Sequence, residues 1–207
     1  MGLFKISKRM EKSMNTFGFI GMGNMGYAML KGALNSFSKE DIIFTCPSSD
    51  RREKISEETG VRFAESNAEC ANNAKYIILA VKPQVYDVVL KNIHDIVTEE
   101  SIVISLAPGI TITDIKRKLG DNIRVVRAMP NTPALVGEGM TGISYNTAEF
   151  SFEERDIIEK FFFKHVLANL RSCRHVLLRA DNTYISVSIL CAENHSLTKN
   201  SRKFSWF

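Results

Sequence analysis

The chain is poor in the residues that most hydrolytic and metal chemistries depend on. It has four histidines, and three of them (His165, His175 and His195) fall beyond residue 163. His94 lies between apolar positions of a helical pattern, where a locally satisfied ring is expected rather than a catalytic one. No Ser-His-Asp grouping and no paired carboxylates of glycosidase or metal type are evident. The four cysteines, Cys46, Cys70, Cys173 and Cys191, form no C-x-x-C. Cys173 with His175 and Cys191 with His195 resemble ligand pairs, but their spacing fits no zinc pattern, so no metal is expected. No apolar run approaches the roughly 20 residues that cross a bilayer, which argues against a membrane protein. The first residues, MGLFKISKRMEKSMN, lack a secretory apolar core, so reduced cysteines and a cytoplasmic location are expected.

A large excess of either charge sign is also missing from the chain. The formal net charge is +4, but residues 164–207 hold seven Lys or Arg against two acids, Asp181 and Glu193. Residues 1–13 hold four basic residues, Lys5, Lys8, Arg9 and Lys12, against one acid. Residues 14–163 are therefore acidic overall. Nucleic-acid binding needs basic residues gathered on one folded face, and here the surplus sits in two end segments, so it is not expected.

What is present is a regular alternation of buried strands and helices. Asn15 to Ile20, Asp41 to Cys46, Val61 to Phe63, Tyr76 to Val81 (YIILAV), Ser101 to Ala107 (SIVISLA), 122–129 (NIRVVRAM) and Gly139 to Tyr145 read as strands. Tyr76 to Val81 is apolar at every position, as strands covered on both faces are, and Ser101 to Ala107 repeats the buried pattern. Between them lie helices opened by capping patterns: Asp50 with Glu53, Ser66 with Glu69, Thr111 with Asp114, and Ser151 with Glu154. Gly60 and Gly120 are placed to end two of them. The pattern predicts an α/β fold, a Rossmann-type doubly wound and mainly parallel sheet. The expected organisation is an N-terminal extension over 1–13, a dinucleotide-binding domain over 14–163 and an atypical, disordered or frame-shifted basic tail over 164–207. Within that tail, Val176 to Leu178 suits a helix and Tyr184 to Leu190 a strand.

The stretch FGFIGMGNMG, Phe17 to Gly26, places G-x-G-x-x-G directly after a strand and at the start of a helical pattern. In that context Gly21 permits the tight turn and Gly23 lets backbone approach a pyrophosphate. Gly26 lets the helix pack closely on the sheet. The phosphates then meet the positive end of the helix. NAD sites place an Asp or Glu roughly 20 residues further on. Here that position is Cys46-Pro47-Ser48, with no carboxylate. Ser48 and Ser49 can donate to a 2′-phosphate, and Arg51 or Arg52 can add a bidentate charge. NADP, as NADPH, is the expected cofactor, with NAD the alternative. LAVKP, Leu79 to Pro83, ends a strand where the crevice should lie. RAMPNTPALVGEG, Arg127 to Gly139, reads as a rigid polar loop walling a small-molecule pocket. The absence of acid–base machinery fits hydride transfer to a polarised double bond, which proceeds largely by positioning.

Five stretches together resemble the pyrroline-5-carboxylate reductase family: FIGMGNMG (19–26), the serines after the second strand, LAVKPQ (79–84), ISLAPGI (104–110) and RVVRAMPNTPALVGEGMT (124–141). The likeness runs from about residue 15 to about residue 162. It implies an oxidoreductase of proline biosynthesis that reduces the imine of 1-pyrroline-5-carboxylate to L-proline with NAD(P)H, in a homo-oligomer. By position, Gly21, Met22, Gly23, Asn24, Met25 and Gly26 would bind pyrophosphate, and Ser48 or Ser49 would lie by the adenosine ribose. Asn67 would contact the cofactor, and Ala80, Val81, Lys82 and Pro83 would line the nicotinamide side. Ala107 and Gly109 would flank the next strand end, where Pro108 removes a backbone donor the family usually has. The family continues into a helical dimer domain with a Gly-Ser-Gly-Pro-Ala segment, which is not found in residues 164–207. Impaired activity is therefore expected, with a non-catalytic NADP-binding or partner-binding remnant and a β-hydroxyacid-dehydrogenase-type reductase as alternatives. The helical face of Ile157, Ile158, Phe161 and Phe162 is expected to be left partly bare and to promote self-association.

Overall fold

Four central strands of this protein are short and buried at every residue, and that pattern sets the architecture. The computed structural model describes residues 17–130, 141–163, 174–180 and 183–189. In chain order the elements are β1 (Phe17–Ile20), α1 (Asn24–Ala33), β2 (Ile42–Thr45), α2 (Ser49–Thr59), β3 (Arg62–Phe63), α3 (Asn67–Asn72), β4 (Tyr76–Leu79), α4 (Tyr86–Ile93), β5 (Ile102–Ser105), α5 (Ile112–Leu119), β6 (Arg124–Pro130), β7 (Thr141–Tyr145), α6 (Phe152–Phe163), β8 (Arg174–Ala180) and β9 (Thr183–Ile189). All four residues are buried in each of β1, β2, β4 and β5. Such strands need a helical layer on both faces.

The layers are built that way. The sheet order is β3-β2-β1-β4-β5-β6-β7-β9-β8. The pairings among β1 to β6 are parallel, and β7 joins β6 antiparallel, with Ala128 opposite Ile143. On one face Phe17, Phe19 and Phe44 pack with Leu30 of α1, Ile55 of α2 and Phe161 of α6. On the other, Ile77, Val103 and Val125 pack with Cys70 of α3, Leu90 of α4 and Ile115 of α5. The doubly wound, mainly parallel sheet expected from the sequence is what forms. Past β7 the sheet continues antiparallel: Ile143 pairs with Ser186 of β9, and Val187 of β9 with Val176 of β8. Tyr184 to Leu190 was expected as a strand, and β9 is one. Val176 to Leu178 is a strand instead of the helix expected, because β9 offers it a backbone ladder that no local periodicity reveals.

Most caps follow the sequence. Ser66 Oγ accepts from the Glu69 amide at 3.0 Å, and Thr111 and Asp114 form a full capping box. Gly60 ends α2 in the left-handed region at φ 69°. The cap of α2 differs. Ser48, not Asp50, takes the position and accepts from the Arg51 amide at 3.3 Å, which leaves Asp50 in the first turn. A serine in extended conformation one residue before the helix satisfies the orphan amide that Asp50, already helical, cannot reach.

Helix α6 is fastened at both ends. Ser151 and Glu154 form the expected capping box, Ser151 N–H to Glu154 Oε2 at 3.1 Å and Glu154 N–H to Ser151 Oγ at 3.2 Å. The same carboxylate also meets Lys75 Nζ at 2.8 Å and an Arg124 guanidinium nitrogen at 2.7 Å. At the other end Phe161 stacks on Phe17 with centroids 5.0 Å apart. Ile158, Phe161 and Phe162 are at most 3% exposed. The bare apolar face expected here is therefore absent: the sheet itself covers it, with Ile157 half-buried beside it.

Candidate functional site

The carboxyl ends of β1, β2, β4 and β5 face the same edge, and their connecting turns are laced together beyond the strands. Gly21 N–H donates to Thr45 O at 2.9 Å, Ala80 N–H to Ile20 O at 2.9 Å and Leu106 N–H to Leu79 O at 3.2 Å. From this edge α1 departs toward one face of the sheet and α4 toward the other. A crevice between them at such a switch of direction is the usual ligand position in open α/β sheets.

The glycine loop occupies that crevice. Gly21 sits at φ +101°, and a Cβ on it would lie 2.6 Å from Val81 Cγ1 and 2.8 Å from Ala80 O. A Cβ on Gly26 would lie 2.1 Å from Gly21 O and 3.0 Å from Ala80 Cβ, so the helix approaches the loop only because no side chain intervenes. Gly23 differs from both. It has an ordinary φ of −69°, and a Cβ there would meet nothing within 4 Å. Neither backbone conformation nor protein packing calls for glycine at this position. Gly23 is also the N-cap of α1, without a side-chain cap and with no acidic residue in the first turn. The helix's positive end and its unpartnered amides are left open toward the space above Gly23. Met22 is buried, Met25 is half-buried and Asn24 is exposed.

At the end of β2 the polypeptide brings Ser48, Ser49 and Arg51 to the same edge. Arg51 Nε–H donates to Met22 O at 2.7 Å, so its guanidinium lies against the glycine loop. Arg52, the other arginine proposed from the sequence, points elsewhere. It donates to Cys46 O at 2.7 Å, pairs with Glu65 at 2.5 Å and covers the Phe63 ring. Of the two, only Arg51 reaches the glycine loop. Ser48 is engaged as the α2 cap, and Ser49 Oγ donates to Asp50 Oδ1 at 3.1 Å, both on exposed backbone. Asn67 opens α3 just after β3 and is half-buried.

The turn after β4 presents Ala80, Val81 and Pro83, half-buried, with Lys82 exposed. The turn after β5 presents buried Ala107 and exposed Pro108 and Gly109, the last at φ +77°. Residues 131–139 of the predicted polar loop lie outside the described residues; β6 carries its first part, through Met129 and Pro130, to the same edge. His94 pairs on the surface with Asp95 at 2.8 Å, in keeping with its non-catalytic reading. Among the described residues no group of His, Cys, Asp or Glu could hold a metal ion, and no helix is long and apolar enough to cross a membrane. Cys46 and Cys70 are buried and free, and burial pushes the Cys70 thiol up, away from reactivity.

A depression of about 650 Å³ lies at the opposite, amino-terminal edge, between Glu99, Lys116, Asn122, Arg124 and Glu149. Its cations are already paired, Lys116 with Glu149 at 2.8 Å and Arg124 with Glu154 at 2.7 Å. It lies at the other end of the strands from the glycine loop, and the residues that line it are all polar or charged.

Comparison with known proteins agrees with this geometry. Residues 16–109 match a domain family described as NADP oxidoreductase, coenzyme F420-dependent. The chain is 38% identical over 155 residues to pyrroline-5-carboxylate reductase of Escherichia coli strain K12, covering 73% of this chain and 56% of that protein. Among solved structures, the pyrroline-5-carboxylate reductase of Coxiella burnetii aligns with a TM-score of 0.69 and 34% identity, over 74% of this chain and 57% of that one. The Plasmodium falciparum pyrroline carboxylate reductase, solved with NADP bound, aligns with a TM-score of 0.63 and 30% identity, over 72% of this chain and 55% of that one. The chain thus spans about half the length of the curated relatives it matches. Over roughly three quarters of its length the chain matches these proteins in sequence and in fold, and it belongs to the pyrroline-5-carboxylate reductase family.

Proposed function

We propose that this chain holds a nicotinamide dinucleotide, NADPH in preference to NADH, across the carboxyl edge of its sheet. We further propose that its chemistry is hydride transfer to the imine carbon of 1-pyrroline-5-carboxylate, with the ring nitrogen taking its proton from solvent, giving L-proline and the oxidised cofactor. The observation that carries the reading is the free space at Gly23. A glycine that the fold does not require, at an uncapped helix start, is what close approach of a diphosphate demands.

In this reading the amides of Gly21 to Gly26 receive the pyrophosphate. The hydroxyls of Ser48 and Ser49 and the guanidinium of Arg51 face the adenosine ribose and its 2′-phosphate, and Asn67 borders the same half. Support for NADPH comes from the lack of any carboxylate among residues 45–49 at the end of β2 and from the position of Arg51 against the loop. The turns Ala80 to Pro83 and Ala107 to Gly109 flank the nicotinamide half. When bound, the cofactor supplies the hydride, from C4 of its nicotinamide ring. The chain's own part is orientation: apolar backbone turns hold one face of that ring and keep water from it. Lys82 is exposed and is given no proton-transfer role.

Two measurements on the purified chain test this. NADPH fluorescence titration should give saturable binding, weakened by substitution at Gly23. NADPH oxidation with 1-pyrroline-5-carboxylate should yield proline. Binding without oxidation would remove the catalytic half of the proposal and leave a cofactor-binding protein; no binding would remove both.

A further inference from the structure

Beneath the two turns assigned to the nicotinamide half lies a buried polar pair that the proposed chemistry does not use. Tyr86, the first residue of α4, is 1% exposed, and Ser105, the last of β5, is fully buried. The Tyr86 hydroxyl donates to Leu79 O at 3.0 Å and lies 2.9 Å from Ser105 Oγ. Leu79 is the last residue of β4, and its carbonyl also accepts the Leu106 amide at 3.2 Å. Both lone pairs of that oxygen are thereby engaged, one by the neighbouring strand and one by the phenol.

The topology of this contact is specific. Tyr86 follows the turn and Leu79 precedes it, so the phenol closes the segment 79–86 on itself. Through Ser105 the same phenol fastens the turn to the end of β5, from which Ala107 and Gly109 follow. Burial pushes the Tyr86 phenol up, while Ser105 and the backbone at Ala107 and Leu106 pull it part of the way back. It stays a protonated donor throughout the physiological range. A fully satisfied buried network of this kind rigidifies what it touches, and a half-satisfied one loosens it.

We propose that Tyr86 and Ser105 form a positioning pair that fixes the Ala80 to Pro83 turn relative to the Ala107 to Gly109 turn. The pair thereby sets the surface on which the nicotinamide half of the cofactor rests. This inference builds on the cofactor reading above, but its test does not depend on it alone. Neither residue touches the ligand, and both act through backbone.

The variants are Tyr86→Phe, which keeps the ring and removes the donor, and Ser105→Ala, a smaller change should the first fold poorly. In the ligand-free protein, amide hydrogen exchange should accelerate at Ala80 and Leu106 at least tenfold more than at Ala64, whose amide bonds Phe44 O at the far side of the sheet. Equal acceleration at all three amides would mean ordinary destabilisation and would overturn the proposal, as would no change. For ligands, the probes are NADPH and 2′-phospho-ADP-ribose, which lacks the nicotinamide. Both variants should weaken NADPH about tenfold and leave the fragment within about twofold of the parent; equal weakening of the two overturns the proposal. Should the parent chain bind neither probe, the cofactor reading fails, and the exchange experiment alone decides whether the pair holds the turns.

Discussion

The Nε–H of Arg51 and the carbonyl of Met22 meet at 2.7 Å, joining the first turn of α2 to the glycine loop across 29 residues of sequence. The bond holds the guanidinium against the glycine loop through its Nε. Replacing Arg51 with Gln should weaken NADPH by roughly tenfold, about 1.4 kcal/mol, and alter NADH by less than about twofold. Parallel titrations with the two cofactors decide it. Equal losses for both would assign Arg51 to holding the loop rather than to reading a 2′-phosphate.

Gly23 and Gly26 separate the needs of a ligand from the needs of the fold. Gly23→Ala places a methyl group in open space, so the melting temperature should stay within about 2 °C of the parent, as for a neutral surface change. NADPH affinity should fall by roughly 100-fold or more, because the methyl group stands where the diphosphate must approach. Gly26→Ala should do the reverse in order of severity, destabilising the protein by about 3 kcal/mol because a Cβ there would lie 2.1 Å from Gly21 O. Thermal melts and titrations on both variants check the contrast.

Glu154 ties the start of α6 to the amino-terminal edge of the sheet. Burial alone would raise its pKa, but the Lys75 ammonium, the Ser151 amide and the Arg124 guanidinium outweigh that and hold it below its ordinary 4.5. A carboxylate depressed on folding stabilises the native state above its unfolded pKa and loses that contribution as pH falls through the folded value. Glu154→Gln should therefore cost about 3 kcal/mol at pH 7, since it leaves two cations short of their counter-charge. The gap between variant and parent should narrow steadily as the pH is lowered from about 4.5, the ordinary value of the carboxylate. Urea unfolding at neutral and acidic pH measures both.

Phe161 and Phe152 lie on one helix with opposite exposure. Phe161 is fully buried against Phe17, whereas Phe152 is 74% exposed. Phe161→Ala should cost about 3–5 kcal/mol through lost burial and the cavity left behind. Phe152→Ser should change stability by less than about 0.5 kcal/mol. Equal effects would mean that α6 is not docked on the sheet through Phe161.

Much of this was legible in the sequence because it is local. The strand runs, the glycine spacing and the Ser66, Thr111 and Ser151 caps each depend on residues a few positions apart. The features that escaped depend on residues far apart. Arg51 and Arg52 are adjacent and chemically alike, and only the helix turn between them sends one to Met22 and the other to Cys46 and Glu65. Tyr86 reads from periodicity as one more apolar side chain of α4, which its ring is. Its hydroxyl meets Ser105 only because β4 and β5 are neighbours in the sheet. Glu154 is recognisable as a capping residue, but its two cationic partners lie 79 and 30 positions earlier, at Lys75 and Arg124. The bare face expected on α6 failed for the same reason, since nothing in its own periodicity reveals how many faces the sheet will cover.

The position of β1 between β2 and β4 has a consequence for any attempt to redesign this protein. The space above Gly23 stays open because the segments leaving neighbouring strands part company there, one packing on each face of the sheet. Under the proposed cofactor reading, side-chain changes around this space would alter which molecule it accepts, yet would leave the space itself in place. Removing it would take a different strand order, and so a different protein.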